Sequence, residues 1–186
     1  MKNIAIFASG KGSNAQAIIN YFSNHPGIRV SLVVTNNPDA GVLQVAHQAK
    51  IVSAIVTKES LQKEELISKL LDAAKVEFIA LAGFLQMVPG FLLKKYPNRI
   101  VNIHPALLPK HGGKGMYGQK VHEAVLAAGD TETGISIHYV NEHYDEGELI
   151  LQKKVAVTPG ESCDAVAAKV LALEHEWYPK AIEQLL

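Results

Sequence analysis

The most chemically informative residues are an amide and an imidazole two positions apart, Asn102 and His104. They lie in a strand-like apolar run, and alternation along a strand places both side chains on the same side. An amide N–H stabilises a developing oxyanion, and an imidazole carries a proton near neutral pH. The pair is therefore suited to acyl transfer, although a purely structural Asn and His have the same spacing.

Asp145 is the candidate acid for the same chemistry, and it lies in the polar segment 141–147. An acid in a short glycine-containing loop usually serves the turn itself. A catalytic role requires that the loop folds against the strand of Asn102 and His104, which sequence distance does not decide. Both interpretations stay open on the residues alone.

A glycine-rich segment, 9–14, connects the first predicted strand to the first predicted helix. Glycines allow a tight turn, and free N–H groups at a helix start favour phosphate. The second strand ends at 35–37 without the carboxylate of a dinucleotide site, and the glycine spacing is not that of a P-loop. The segment predicts a phosphate site, with a simple strand-to-helix turn as the alternative. The candidate residues are Gly10, Lys11, Gly12, Ser13 and Asn14.

No metal site is expected, because the histidine pairs His138/His143 and His104/His111 lack the spacing of a zinc motif. The single cysteine, Cys163, makes an internal disulfide impossible and favours a reducing compartment. It is interpreted as an inert helix residue. Since the first apolar run, 4–8, is too short for a signal-peptide core, we expect a cytoplasmic protein.

Composition restricts the kind of partner. The chain has 186 residues, 48% of them hydrophobic, which fits one globular domain. Lys and Arg together number 18, as do Asp and Glu, and this balance disfavours general nucleic-acid binding. No apolar stretch approaches the roughly 18 residues of a membrane span. Small-molecule partners are therefore expected.

Strand-like and helical patterns alternate along the first hundred residues, which predicts a doubly wound α/β fold with a mostly parallel sheet. Seven strands are expected, with one antiparallel strand near the short connection at 141–147. The predicted strands are 4–8, 29–35, 53–56, 77–81, 99–104, 134–140 and 148–157. The predicted helices are 14–23, 41–50, 60–75, 89–96, 122–128 and 162 to about 177, the last ending near Pro179.

A single domain is predicted over residues 1–186. Its first part, 1–100, is the Rossmann-like half with the phosphate segment, and 101–186 is the catalytic half. No linker separates the two halves. Segment 110–118 is rich in Gly and Lys and is interpreted as a mobile loop.

The chain resembles the folate-dependent phosphoribosylglycinamide formyltransferases of purine synthesis over nearly its whole length. The segment 102–109, followed by an aspartate some forty residues later, is the most specific part of the resemblance. The motifs that carry the resemblance are 9–14, 81–84, 101–109 and 140–147.

The resemblance implies a formyltransferase fold in which Asn102, His104 and Asp145 are the catalytic trio. It implies 10-formyltetrahydrofolate as co-substrate, no metal, and a monomer or weak homodimer. Segment 10–14 would hold the substrate phosphate, Glu174 would contact the ribonucleotide, and 101–186 would be the folate-binding half. The residues implied for folate are Leu85, Gln86, Met87, Val88, Asn102, Glu142, His143, Tyr144 and Asp145.

Three positions depart from the family pattern. Leu85-Gln86 stands where many relatives have Met-Arg, so a charged contact to the folate tail is lost. Glu64 lies where a basic residue often helps to hold phosphate, and Lys11 or Lys63 is the candidate replacement. The loop after Pro109 is longer, and its glycines would permit closure over substrate.

Other functions share part of this pattern. A methionyl-tRNA formyltransferase would need a further domain and a basic surface, a formyl-folate hydrolase normally has a preceding regulatory domain, and sugar-nucleotide formyltransferases are generally longer. From a different class, a sugar-phosphate sensor has no need of Asn102, His104 and Asp145 together. Turnover without acceptor would indicate a hydrolase, and binding without turnover would indicate a sensor.

Overall fold

Seven strands and seven helices make up the computed structural model, which describes residues 1–186. The strands are β1 (Lys2–Phe7), β2 (Ile28–Thr35), β3 (Val52–Ile55), β4 (Phe78–Leu81), β5 (Ile100–His104), β6 (Glu132–Tyr139) and β7 (Leu149–Ala156). The helices are α1 (Ser13–Phe22), α2 (Val42–Gln48), α3 (Lys58–Leu61), α4 (Glu64–Ala73), α5 (Gly90–Lys95), α6 (Gln119–Ala127) and α7 (Cys163–Gln184).

All strands belong to one sheet in the order β3-β2-β1-β4-β5-β6-β7. The pairs among β1 to β5 are parallel, whereas β6 is antiparallel to both of its neighbours. β6 is thus the one strand that runs against the others. The predicted α/β fold, with a mostly parallel seven-stranded sheet and one antiparallel strand, is confirmed.

The sheet is covered on both faces, which explains the continuous apolar runs of its central strands. Ile4 and Ile6 of β1 point to one face, in a buried cluster that includes residues of α1, α2 and α7. Ala5 and Phe7 point to the other face, in a second cluster that includes residues of α3, α4 and α5. One strand therefore contributes to both cores.

The single helix predicted over 60–75 is wrong, because the chain forms α3 and α4 with a break between them. Thr57 caps α3 by accepting a hydrogen bond from the Ser60 amide, and Lys63 is extended. Leu61 and Ile67 are both fully buried in the same cluster. Residues six apart do not share one face of a continuous helix. The break allows both side chains to reach the core.

The predicted end of the last helix near Pro179 is also wrong, since α7 continues through Pro179 to Gln184. Proline removes one helical hydrogen bond, but Tyr178, Ala181 and Ile182 are buried on either side of it. Their packing offsets the lost bond. Although α7 has 22 residues, neither it nor any other helix has the length and apolar content needed to cross a membrane.

Candidate active site

A cavity of about 640 Å³ opens beside the carboxyl ends of β4 and β5, where ligands bind in open α/β sheets. The segment after β4, the loop before α6, the connection after β6 and one side of α7 form its walls. Its polar lining residues include Asn14, Gln86, Asn102, His104, Lys114, Gln119, His122, His138, Asn141, His143, Asp145 and Glu174.

Asn102 lies in β5 directly opposite His138 of β6. His138 Nδ1 is 2.8 Å from the Tyr139 carbonyl oxygen, which only accepts, so this nitrogen carries a proton. In the neutral ring Nε2 is then an acceptor, and Asn102 Nδ2 donates to it at 3.2 Å. The amide of Asn102 is thereby oriented with its N–H groups toward the other polar residues of the cavity.

Asp145 meets both residues from the connection between β6 and β7. Its Oδ1 accepts a long hydrogen bond of 3.4 Å from Asn102 Nδ2, and its Oδ2 lies 3.4 Å from His104 Nδ1. The Gly113 amide donates to the same Oδ2 at 2.9 Å. The loop therefore does fold against β5, and the amide, imidazole and carboxylate are brought together.

The return of the connection over β6 depends on Gly147. A Cβ atom on this residue would lie 1.7 Å from the Tyr139 carbonyl oxygen, which no side chain permits. Asp145 itself has a φ of 58°, in the left-handed region that Asp tolerates better than most residues. Close approach of the backbone thus places the carboxylate.

His104 is nearly inaccessible, with 3% of its surface exposed. Its Nε2 donates to the His111 carbonyl oxygen at 2.8 Å, which fixes the proton on Nε2 in the neutral ring. Burial lowers the pKa of His104 below its ordinary value, although Asp145 and the His111 carbonyl oppose the shift. The residue is therefore mainly neutral at pH 7, with Nδ1 free to gain a proton.

The carboxyl group of Asp145 has the opposite balance. Burial raises its pKa, but interactions with the protonated forms of His138 and His104 and with the Gly113 amide outweigh burial and hold the pKa below its usual range. Asp145 is therefore ionised at neutral pH. An ionised carboxylate stabilises a protonated His104 at the nitrogen that titrates.

The predicted phosphate segment lies at the start of α1, and only its last residue, Asn14, lines the cavity. Gly12 has a φ of 85° and no side chain caps the helix. A Cβ atom on Gly12 would lie 2.8 Å from the Val42 Cα, so the tight turn requires glycine. The first N–H groups of α1 thus have no partner within the helix.

Asn14 connects this segment to Glu174 of α7. Its Nδ2 donates to Glu174 Oε2 at 2.8 Å, while its Oδ1 is buried without a partner. Burial raises the pKa of Glu174 to about 7, and the hydrogen bond from Asn14 opposes this only in part. A polar ligand that donates to these oxygens would satisfy both groups.

The segment predicted for folate, Leu85–Val88, lines the cavity in full. Leu85 and Met87 are each 46% exposed, and the Leu85 amide donates to Ser9 Oγ at 2.9 Å. His143 and Tyr144 also line the cavity, but Glu142 does not. Exposed apolar groups at a cavity mouth suit a flat, partly apolar ring.

Several lining residues were not predicted from the sequence. His138 was considered only as a zinc ligand, and its place opposite Asn102 follows from the β5–β6 register. His122, 6% exposed, has a buried Nδ1 without a partner. Residues 113–119, most of which belong to the loop whose closure over substrate was expected, line the cavity throughout. The sequence motifs did not single out His122, which was only the first residue of a predicted helix.

A group of three or more His, Cys, Asp or Glu side chains arranged to hold a metal ion is not present. The residues of the cavity provide an amide donor, an imidazole whose Nδ1 accepts a proton, and an ionised carboxylate within 3.5 Å of both. These groups suit the transfer of an acyl group between nucleophiles through a tetrahedral oxyanion.

The chain belongs to the formyl transferase family, whose characteristic sequence pattern matches residues 2–182. It is 36% identical over 191 residues to phosphoribosylglycinamide formyltransferase of Bacillus subtilis, covering 100% of this chain and 95% of that protein.

The chloroplastic phosphoribosylglycinamide formyltransferase of Arabidopsis thaliana is 38% identical, and the match covers 97% of this chain and 64% of that protein. The chain thus spans somewhat less than two thirds of this longer plant relative. The crystal structure of glycinamide ribonucleotide transformylase 1 from Geobacillus kaustophilus superposes with a TM-score of 0.90 at 34% identity, covering 100% of this chain and 99% of that one.

Proposed function

We propose that the protein transfers the formyl group of 10-formyltetrahydrofolate to the amine of glycinamide ribonucleotide, a step of purine synthesis. The observation that carries the proposal is the meeting of Asn102, His104 and Asp145 at one cavity. The names of the relatives support the choice of acceptor. The products are formylglycinamide ribonucleotide and tetrahydrofolate.

The reaction begins when the amine nitrogen of the acceptor attacks the formyl carbon. The electron pair of the carbonyl moves to oxygen, and Asn102 donates an N–H to it. In the free protein this N–H makes only a long hydrogen bond to Asp145. Little free energy is therefore lost when the N–H turns from Asp145 to the oxyanion. Preorganised donors of this kind are typically the main source of stabilisation in acyl transfer.

The proton of the attacking amine is collected by a water molecule that Asp145 orients. The water passes this proton to His104, which accepts it at Nδ1 because Nε2 is engaged with the His111 carbonyl oxygen. The tetrahedral species then collapses, the bond from the formyl carbon to N10 of the folate breaks, and N10 takes the proton. His104 returns to its neutral form, so atoms and charges balance.

The two substrates occupy opposite ends of the cavity. The phosphate of the ribonucleotide lies at residues 10–14, where the free N–H groups of α1 begin, and the exposed Lys11 supplies positive charge that Glu64 does not. The ribose and glycinamide contact Glu174. The pterin lies against Leu85–Val88, and residues 142–145 border the folate.

Substitution of the amide and the imidazole tests the proposal. Asn102→Ala and His104→Ala should each lower kcat by at least about 10²–10³-fold, since each removes a group that acts on the transition state. The absorbance change on donor consumption, at saturating donor and acceptor, gives the rate. Asn20→Ala and His47→Ala, both at exposed positions, are the matched controls and should keep wild-type rates.

Near-wild-type rates in both site variants would overturn the proposal. The same assay without glycinamide ribonucleotide separates the alternatives, since turnover without acceptor identifies a hydrolase. Binding of both substrates without turnover identifies a sensor. We further expect a cytoplasmic monomer or weak homodimer whose partners are these small molecules.

A further inference from the structure

We propose that Asp130 is a positioning residue for His104 and acts on it through His111. The inference rests on the proposed function, because it assigns a role in the same reaction. Asp130 does not touch the substrate cavity. Together with His111 it lines a separate polar cavity of about 380 Å³. Its effect on catalysis is therefore transmitted through the protein and not through substrate.

Two contacts link His104 to Asp130. The first is the hydrogen bond from His104 Nε2 to the His111 carbonyl oxygen, 2.8 Å long. This bond decides which nitrogen of His104 is free to titrate. The carbonyl is aimed by the backbone of His111, whose φ of 56° is unfavourable for a residue other than glycine. A conformation of that kind persists only when its surroundings hold it.

The second contact supplies that restraint. His111 Nε2 lies 2.7 Å from Asp130 Oδ2, and the two side chains are only 12% and 13% exposed. Hydrogen bonds with Lys110 and His111 lower the pKa of Asp130, so it is ionised and only accepts. His111 must then donate from Nε2, which sets the rotation of its ring.

Asp130 is held in turn by the end of α6. Its amide donates to the Val125 carbonyl oxygen at 3.2 Å, and Gly129 before it has a φ of 67°. The carboxylate is thus fixed to a helix end. Lys110 pairs with Asp130 Oδ1 from the solvent side, so the two oxygens have separate partners. That separation makes a matched control possible.

The test compares Asp130→Ala, Asp130→Asn and Lys110→Ala. Asp130→Ala should lower kcat by about 10- to 100-fold, as small misplacements of reacting groups do, with both KM values little changed. Asp130→Asn keeps an oxygen that accepts from His111 and should restore kcat to within about threefold of wild type. Lys110→Ala removes only the exposed partner and should resemble wild type.

The ¹⁵N chemical shifts of the His104 ring, recorded on the substrate-free protein, provide a readout that does not depend on activity. Wild type and Asp130→Asn should show the single Nε2–H form, and Asp130→Ala a mixture of tautomers. If wild type shows no formyl transfer, the proposed function fails while this measurement still decides the positioning role.

Unchanged kcat and ring shifts in Asp130→Ala would overturn the inference, as would equal losses in Asp130→Ala and Lys110→Ala. If Asp130→Ala does not fold, His111→Ala removes the same contact from its other side and should give the same shift change. Where both variants fold, the double variant Asp130→Ala/His111→Ala should lose no more kcat than either single variant, because the two residues act in series.

Discussion

At the scale of single residues, the cavity holds two carboxyl groups whose environments shift their pKa values in opposite directions. Contacts with His138 and His104 keep Asp145 ionised despite its burial. Glu174 has one donor, Asn14, and burial raises its pKa to about 7. Such divergence between neighbouring acids separates their roles. Asp145 is suited to hold charge, and Glu174 to hydrogen-bond a ligand in either form.

Glu174→Gln should stabilise the free protein at alkaline pH and have little effect in acid. Because burial raises the folded-state pKa of Glu174 to about 7 from 4.5, the folded chain binds the extra proton and wild-type stability falls as pH rises between these values. Above pH 7 the substitution should raise the free energy of unfolding by at most about 3 kcal/mol. Urea unfolding near pH 5 and near pH 8 measures it.

Glu176→Gln is the matched control, since Glu176 is exposed two residues further along α7. Its effect should stay within about 0.5 kcal/mol at both pH values. A gain from Glu174→Gln that is the same in acid and alkali would show that Glu174 does not titrate in this range.

At the scale of elements, the connection between β6 and β7 decides whether the site forms. Gly147→Ala should displace the connection, because the new Cβ would meet the Tyr139 carbonyl oxygen, and Asp145 should move with it. We expect kcat to fall by about 10²-fold, the cost of a small misplacement, and the urea midpoint to fall as well. Steady-state kinetics and urea unfolding measure the two effects.

Gly90→Ala is the control for this substitution. A Cβ on Gly90 meets nothing within 4 Å, and the residue is the first of α5 and not part of the connection. Its kcat should match wild type. Full activity in Gly147→Ala would mean that the connection tolerates the side chain and that its close return is not needed.

The elements show which structural features are readable from a sequence. All seven strands were predictable, the central ones because buried parallel strands form apolar runs bounded by turn residues. The break after Leu61 and the passage of α7 through Pro179 were not, since both depend on burial against distant residues. Tertiary packing overrides local propensity at such places.

The three polar residues that meet at the cavity were predictable from the sequence, and the contacts between them were not. Asn102, His104 and Asp145 are recognisable by residue type and by the family pattern. The place of His138 opposite Asn102 depends on the β5–β6 register, and the contact of Asp145 with β5 depends on the fold of a loop. Neither pairing leaves a periodic trace in the sequence.

At the scale of the whole molecule, the two cores share the strands of one sheet, so neither should unfold alone. Leu71 lies in the cluster on one face, and Trp177, the only tryptophan, packs against the cluster on the other. Leu71→Ala should destabilise by about 2–5 kcal/mol and shift the Trp177 fluorescence transition as much as the circular dichroism transition. Urea titrations with both probes test this.

Ile18→Ala, in the cluster of Trp177, provides the matched comparison and should also move both transitions together. A Leu71→Ala protein whose dichroism changes while Trp177 fluorescence keeps its wild-type midpoint would show two separately unfolding parts. The prediction of one domain over 1–186 would then be wrong.

Two main-chain groups from one short segment hold the reacting side chains: the carbonyl of His111 holds His104, and the amide of Gly113 holds Asp145. Substitution of Gly113 by most residues keeps its amide in place and adds strain at a φ of 98°, so it does not measure the hydrogen bond to Asp145. Replacement of the peptide link before Gly113 by an ester, through chemical synthesis, exchanges this N–H for an oxygen atom. The loss of kcat would then measure the contribution of the donor to Asp145.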